Sequence, residues 1–153
     1  MEHDSLNHEI FMEAALEEAS KAGLEDEVPI GAVAVENGEI IAREHNRTIQ
    51  LNDPTAHAEI LLLKKAAIRA GNYRLPDITV YVTVEPCPMC AGALIQARIK
   101  KLIFGTADKK GGGVVSRFKI LEPGRMNHNI EFKSGVLEEQ CRGIIQSFFS
   151  SRR

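Results

Sequence analysis

The apolar positions of this chain change period several times, and each change marks an element. Over residues 6–22 they recur near helical spacing, with Leu6, Ile10 and Ala14 on one line and Phe11, Ala15 and Ala19 beside it. This predicts an opening helix stopped by Gly23. Apolar runs at residues 30–35 and 39–42 flank Asn37-Gly38, a dipeptide that tolerates positive φ and so favours a tight hairpin. Asp53-Pro54-Thr55 is turn chemistry leading into a second helix over residues 56–70, closed by Gly71. Residues 78–84 form a mostly β-branched run, which predicts a buried central strand. Pro86 then removes the chain from strand pairing, and residues 87–98 read as a third helix. Short strands follow at residues 101–105 and 130–133. Residues 137–150, carrying Ile144, Ile145, Phe148 and Phe149, form a last amphipathic helix. Helices alternating with apolar strands in this order predict an α/β fold, a central mixed sheet covered on both faces.

Two segments carry the chemistry. His57-Ala58-Glu59 is followed by Pro86-Cys87-Pro88-Met89-Cys90, with Cys87 lying 28 residues beyond Glu59. One imidazole and two thiolates make the three protein ligands usual in a catalytic zinc site, whose fourth position belongs to water. Glu59 is then free for proton transfer. Both segments fall at predicted helix N-termini, where the backbone dipoles favour thiolates. Cys87 and Cys90, three apart in a first turn, share a face.

Other readings of the same residues are weaker. A closed structural zinc needs a fourth ligand. Cys141 sits in the amphipathic last helix as a small core residue, His3 and His8 on or before the acidic first helix, and His45 and His128 in loop-like segments. A redox pair expects a βαβ unit opening on C-x-x-C, which is absent. The Leu61-Leu62-Leu63 run reads as packing. Gly111-Gly112-Gly113 has no phosphate-binding fingerprint around it and reads as a mobile or sharply turned loop.

At 153 residues the chain reads as a single zinc-dependent domain spanning residues 1–153, long enough to bury about 68–70% of its unfolded surface. No apolar run reaches 18 residues and no secretory signal opens the chain, so no membrane partner is expected. Three cysteines, two committed to metal, argue against a disulfide framework and for the cytoplasm. The net charge of −2 hides a division: residues 1–63 hold 3 Lys/Arg against 14 Asp/Glu, residues 64–153 hold 16 against 7. Within residues 98–119, Arg98, Lys100, Lys101, Lys109, Lys110, Arg117 and Lys119 face only Asp108, and Arg152-Arg153 closes the chain. This reads as a stripe for a polyanion.

Several segments together resemble the bacterial tRNA-specific adenosine deaminases, members of the cytidine-deaminase-like zinc deaminase superfamily. They are Val28-Pro29-Ile30-Gly31-Ala32-Val33, Asn46-Arg47, Asn52-Asp53-Pro54-Thr55-Ala56-His57-Ala58-Glu59-Ile60, Asn72-Tyr73-Arg74-Leu75, the stretch from Tyr81 to Ala93, and Met126-Asn127-His128. The His-Ala-Glu and Pro-Cys-x-x-Cys parts belong to the whole superfamily, the others to the narrower group.

The resemblance implies a three-layer α/β/α fold on a mixed five-stranded sheet, a homodimer, and one Zn2+ per subunit held by His57, Cys87 and Cys90. It implies hydrolysis of the wobble adenosine of a tRNA anticodon stem-loop to inosine, with Glu59 shuttling the proton as water adds to C6 of the flipped-out adenine. Asn46 is similar to a nucleoside contact and Asp108 to a contact with the RNA backbone. Asn127 and His128 would line the anticodon channel, and Val28 and Pro29 the substrate pocket. Residues 111–116 depart from the family in being Gly-rich and aliphatic, and the basic tail is short; both concern RNA contacts. The alternative is a free nucleobase or nucleoside deaminase acting on guanine, cytosine or cytidine through the same metal site. A third reading, a non-catalytic RNA-binding module that keeps zinc for folding, leaves Glu59 unexplained.

Overall fold

A computed structural model of the protein describes residues 2–152, with side chains over residues 6–152; Arg153 of the basic tail lies outside the described residues. Helix α1 (Glu2–Leu24) leads to the hairpin β1 (Gly31–Glu36) and β2 (Glu39–His45). Helix α2 (Ala58–Ala70), strand β3 (Thr79–Val84), helix α3 (Pro88–Gln96) and strand β4 (Lys101–Thr106) follow. Strand β5 (Glu131–Lys133) and helix α4 (Glu138–Ser150) close the chain.

The five strands form one mixed sheet in the order β2-β1-β3-β4-β5. β1 is antiparallel to both β2 and β3, whereas β3, β4 and β5 run parallel. Side chains alternate across a strand, and the alternation here sorts the core into two layers. Ala32, Ala34, Val80, Val82, Leu102 and Phe104 pack on Leu62 and Ala66 of α2 and Leu94 and Ile95 of α3. Val33, Val35, Tyr81 and Ile103 face the other way, onto Met12 and Ala15 of α1 and Cys141 of α4. The result is the three-layer α/β/α arrangement with a five-stranded mixed sheet.

Local chemistry explains where the boundaries moved. Gly23 does not stop α1. The left-handed residue at its end is Asp26 (φ 62°), and the Glu27 N–H returns to the Ala22 carbonyl at 2.9 Å. Asn37 (φ 51°) and Gly38 (φ 77°) turn the hairpin as their sequence requires. α2 begins two residues later than the periodicity suggests, and α3 begins at Pro88 rather than Cys87, because His57 and Cys87 are the extended residues that precede each helix.

Candidate active site

The topology gathers the chemistry at one end of the sheet. β3 and β4 are parallel, so the segments leaving them, residues 85–87 and 107–108, emerge side by side. β1 runs the opposite way and brings residues 28–30 to the same end. Crevices at the carboxyl ends of parallel strands are where α/β sheets commonly place ligands.

His57 is the N-cap residue of α2 (φ −76°, ψ 154°) and Cys87 that of α3 (φ −71°, ψ 172°), yet neither side chain caps its helix. In α2 the free Ala58 N–H donates instead to Oδ1 of Asn46 at 2.7 Å. The imidazole is thereby released toward α3, where His57 Nδ1 lies 3.6 Å from Cys87 Sγ and 3.5 Å from Cys90 Sγ. The three ligand atoms lie within 4.8 Å of one another, a group able to hold a metal ion. The donor set fits zinc: bonds of about 2.0–2.1 Å to nitrogen and 2.3 Å to sulfur at tetrahedral angles give nitrogen–sulfur edges of about 3.6 Å.

The protonation pattern suits the same purpose. The Cys90 thiol donates to Cys87 and, with His57, pulls the Cys87 pKa down to about 4 despite burial. The Cys87 thiolate and burial push the Cys90 thiol upward. The Cys87 thiolate also raises the His57 pKa, against the effect of burial. Glu59, in the first turn of α2, is 4% exposed. Burial lifts its pKa to about 7, the Cys87 thiolate adding to the effect while its own backbone N–H, His57 and Cys90 oppose it. No lysine or arginine pairs with this carboxylate among the described residues. A buried carboxyl without a cation, poised near neutrality beside a metal-ligand cluster, is equipped to accept and return a proton.

At the same end of the sheet lies a cleft of about 740 Å³. Val28, Ile30, Val84 and Phe149 form part of its apolar lining, and Asp108, Lys109, Lys110, Glu138 and Arg142 its charged part, with Arg142 paired to Glu138 at 3.1 Å and Glu139 at 2.8 Å. Of the residues singled out from the sequence, His57, Glu59, Cys87 and Cys90 come together, and Val28 and Asp108 line the cleft. Asn46 is buried, with its oxygen engaged by Ala58. Pro29 differs: it is buried and lines the neighbouring groove between α1 and α4.

Asn127 and His128 also differ. His128 Nε2 donates to the Ile99 carbonyl at 2.9 Å. Ile99 precedes β4, and β5 starts opposite Lys101, so this segment sits at the far end of the sheet from His57, Cys87 and Cys90. The basic stripe divides for the same reason: Lys109 and Lys110 border the cleft, whereas Arg98, Lys100 and Lys101 stand at the far end. Strand direction, which a linear charge count ignores, separates them.

A family model of MafB19-like deaminases matches residues 6–153. The tRNA-specific adenosine deaminase of Bacillus subtilis (strain 168) is 48% identical over 145 residues, covering 95% of this chain and 90% of its own length. The chain belongs to the tRNA-specific adenosine deaminase family. The Haemophilus influenzae relative of the same name matches this deaminase at 48% identity over 95% of the chain and 84% of its own. A structure solved in a study of A-to-I editing by tRNA:A34 deaminases at the wobble position of transfer RNA superposes with a TM-score of 0.85. It is 48% identical and covers 88% of this chain and 97% of its own. A guanine deaminase from Nitrosomonas europaea shares the fold, with a TM-score of 0.82 at 23% identity, covering 93% of this chain and 84% of its own.

Two carboxylates of the deaminase escaped the sequence reading. Glu27, 1% exposed, accepts the N–H groups of Ile49 (3.1 Å) and Gln50 (2.8 Å) and the Thr48 hydroxyl, fixing the loop that leads into α2. Glu85, 3% exposed, gathers the segment that follows β4. Burial alone would raise the Glu85 pKa, but the Ser116 hydroxyl and the backbone N–H groups of Ser116, Val115 and Asp108 hold it below the ordinary carboxylate value. The usable signal was a glutamate directly before the Pro-Cys turn, in a position with no metal to bind.

Proposed function

We propose that this deaminase converts the wobble adenosine of a tRNA anticodon stem-loop to inosine, using one zinc ion per chain held by His57, Cys87 and Cys90. The observation that carries the reading is Glu59, a buried carboxyl with no cationic partner among the described residues, placed two residues from a metal-ligand imidazole. Zinc, when bound, supplies Lewis acidity that makes water nucleophilic near neutral pH, with a pKa of roughly 7.

The chain's own residues do the rest. Glu59 takes the proton from the water that adds to C6 of adenine and delivers it to N1. It then assists the exocyclic amine to leave as ammonia, so that adenosine and water become inosine and ammonia. Asn46 faces the nucleoside through its amide N–H groups, because its oxygen already accepts from Ala58. Val28 and Val84 supply apolar contact for a base drawn out of the loop, which an unpaired anticodon nucleotide permits at low cost. Asp108 borders the RNA backbone, and Lys109 and Lys110 meet its phosphates, joined by Arg142 once it leaves Glu138 and Glu139.

The active form is a homodimer in the cytoplasm. Exposed apolar side chains at Met89, Val115 and Phe118 beside the metal turn support the first. Free thiols, and described helices none of which is long and apolar enough to cross a membrane, accord with the second.

The test is incubation of the purified protein with total tRNA, followed by reverse transcription. Adenosine read as guanosine at the wobble position is the expected result. No change there, with ammonia released from guanine, cytosine or cytidine, would select a free-base or nucleoside deaminase.

A further inference from the structure

The geometry points to Glu85 as a positioning residue that sets how the cleft presents Asp108 to its substrate, through a bracket closed by Gly112 and Gly113. Two segments distant in sequence meet here. Residues 85–88 leave β3 and carry Cys87; residues 107–116 leave β4, and the first of them, Ala107 to Lys110, line the cleft.

One carboxylate fastens the second segment to the first. Glu85 Oε2 accepts the backbone N–H groups of Val114 (3.0 Å), Val115 (2.8 Å) and Ser116 (3.0 Å). Oε1 accepts the Asp108 N–H at 3.0 Å together with the Ser116 hydroxyl. Asp108, so anchored, turns its own Oδ1 onto the N–H groups of Lys110 (3.1 Å) and Gly111 (3.2 Å). The Gly113 N–H donates to the Pro86 carbonyl at 2.8 Å, joining the segments a second time.

The glycine run follows from this closeness. A Cβ on Gly112 would collide with the Glu85 carboxylate. One on Gly113 would lie 2.9 Å from the Cys87 carbonyl carbon and the Pro88 nitrogen. The segment is therefore sharply turned, and its glycines are demanded by the approach of backbone to carboxylate and metal turn.

The two oxygens of Glu85 have separable duties. In Glu85→Gln, a carbonyl at the Oε2 position keeps Val114, Val115 and Ser116. The amide nitrogen at the Oε1 position can still donate to the Ser116 oxygen, but it opposes the Asp108 N–H. The substitution thus releases Asp108 while the remainder of the bracket holds. Losing the hydrogen bond of this half-buried donor to a carboxylate corresponds to an effect of about tenfold.

This inference rests on the proposed anticodon stem-loop substrate, and two readouts separate the claims. Amide hydrogen exchange needs no substrate. The Asp108 amide is expected to be protected in the wild type and exposed in Glu85→Gln, with Val114, Val115 and Ser116 protected in both. Steady-state kinetics on an anticodon stem-loop are expected to show KM raised about tenfold, kcat within about threefold, and metal content unchanged. If Glu85→Gln does not fold, Gly112→Ala, whose Cβ would meet both Glu85 oxygens, displaces the carboxylate as a whole. It is expected to expose the amides of Asp108, Val114, Val115 and Ser116 together and to raise KM, whereas Ser116→Ala, which removes only the hydroxyl, is expected to leave the Asp108 amide protected. Equal exchange of the Asp108 amide in wild type and variant would overturn the inference. So would a fall in kcat that tracks lost metal at unchanged KM, since Glu85 would then serve the metal turn alone. A wild type inactive on the stem-loop, with the exchange pattern as expected, would remove the substrate and leave the bracket.

Discussion

Oδ1 of Asn46 accepts the backbone N–H of Ala58 at 2.7 Å, so a residue at the end of the hairpin caps the helix that carries Glu59. Losing this acceptor in Asn46→Ala costs about 1 kcal/mol, a fall in Tm of about 2–4 °C for a chain of this size. Asn46→Asp keeps an oxygen there and holds the wild-type Tm, yet it replaces the amide donor proposed to meet the nucleoside. Its KM for the stem-loop therefore rises. Thermal melts beside steady-state kinetics on both variants separate the two duties, and identical behaviour of Asp and Ala variants would contradict them.

Glu59→Gln removes the proton carrier while preserving shape. Turnover falls by about 10²–10⁴-fold. Metal content stays at the wild-type level because the ligand atoms are untouched. Single-turnover assays with atomic absorption on the same sample check this; substantial residual deamination would remove Glu59 from the mechanism.

Chelation should abolish activity without dissolving the fold. His57, Cys87 and Cys90 sit at helix ends, whereas the two core layers are built from aliphatic side chains on the sheet faces. Stripping the metal therefore leaves far-ultraviolet circular dichroism near its holo value and lowers Tm. Added zinc restores turnover. Recovery with magnesium but not zinc would contradict the donor set.

Three cations border the cleft, Lys109, Lys110 and Arg142, the last of which must exchange its pairs with Glu138 and Glu139 for phosphate. If each meets one phosphate of an unpaired strand, log(kcat/KM) falls against log(salt) with a slope of about −2, an about 20-fold loss between 50 and 200 mM. Lys110→Ala reduces the slope by about 0.7, whereas Lys100→Ala, at the far end of the sheet, leaves it unchanged. A salt-independent rate would point to an uncharged small substrate.

Glu44 predicts an acid limb of stability. Burial alone would raise its pKa, but Arg47 Nε at 2.9 Å, the His45 N–H and Lys65 together hold it below its ordinary value of 4.5. Its stabilisation is present at pH above that ordinary value and disappears as the pH falls through the lower folded value. Tm measured from pH 7 down to about pH 3 should fall more steeply in the wild type than in Glu44→Gln.

The sequence was most legible where the signal is local. Periodicity and turn dipeptides located every helix and strand, and the spacing of His57, Cys87 and Cys90 singled out residues that the fold brings into contact. It was least legible where partners are distant. Nothing near Glu85 announces that its oxygens collect amides from residues 108 and 114–116, and nothing near Glu27 announces residues 48–50. Asn46 reads as a substrate contact, and its cap on Ala58 needs a partner 12 positions away. The cationic run reads as one stripe along the chain, whereas β4 separates Lys101 at its start from Lys109 beyond its end, at opposite ends of the sheet.

The sheet also limits how copies of this protein can meet. One border strand, β5, is only three residues long and carries Glu131 and Lys133; the other, β2, carries Arg43 and Glu44. Charged and abbreviated margins resist annexation by a further strand. Assembly by edge-to-edge growth is thereby discouraged, and the molecule is directed toward finite, helix-and-loop contacts instead of fibres.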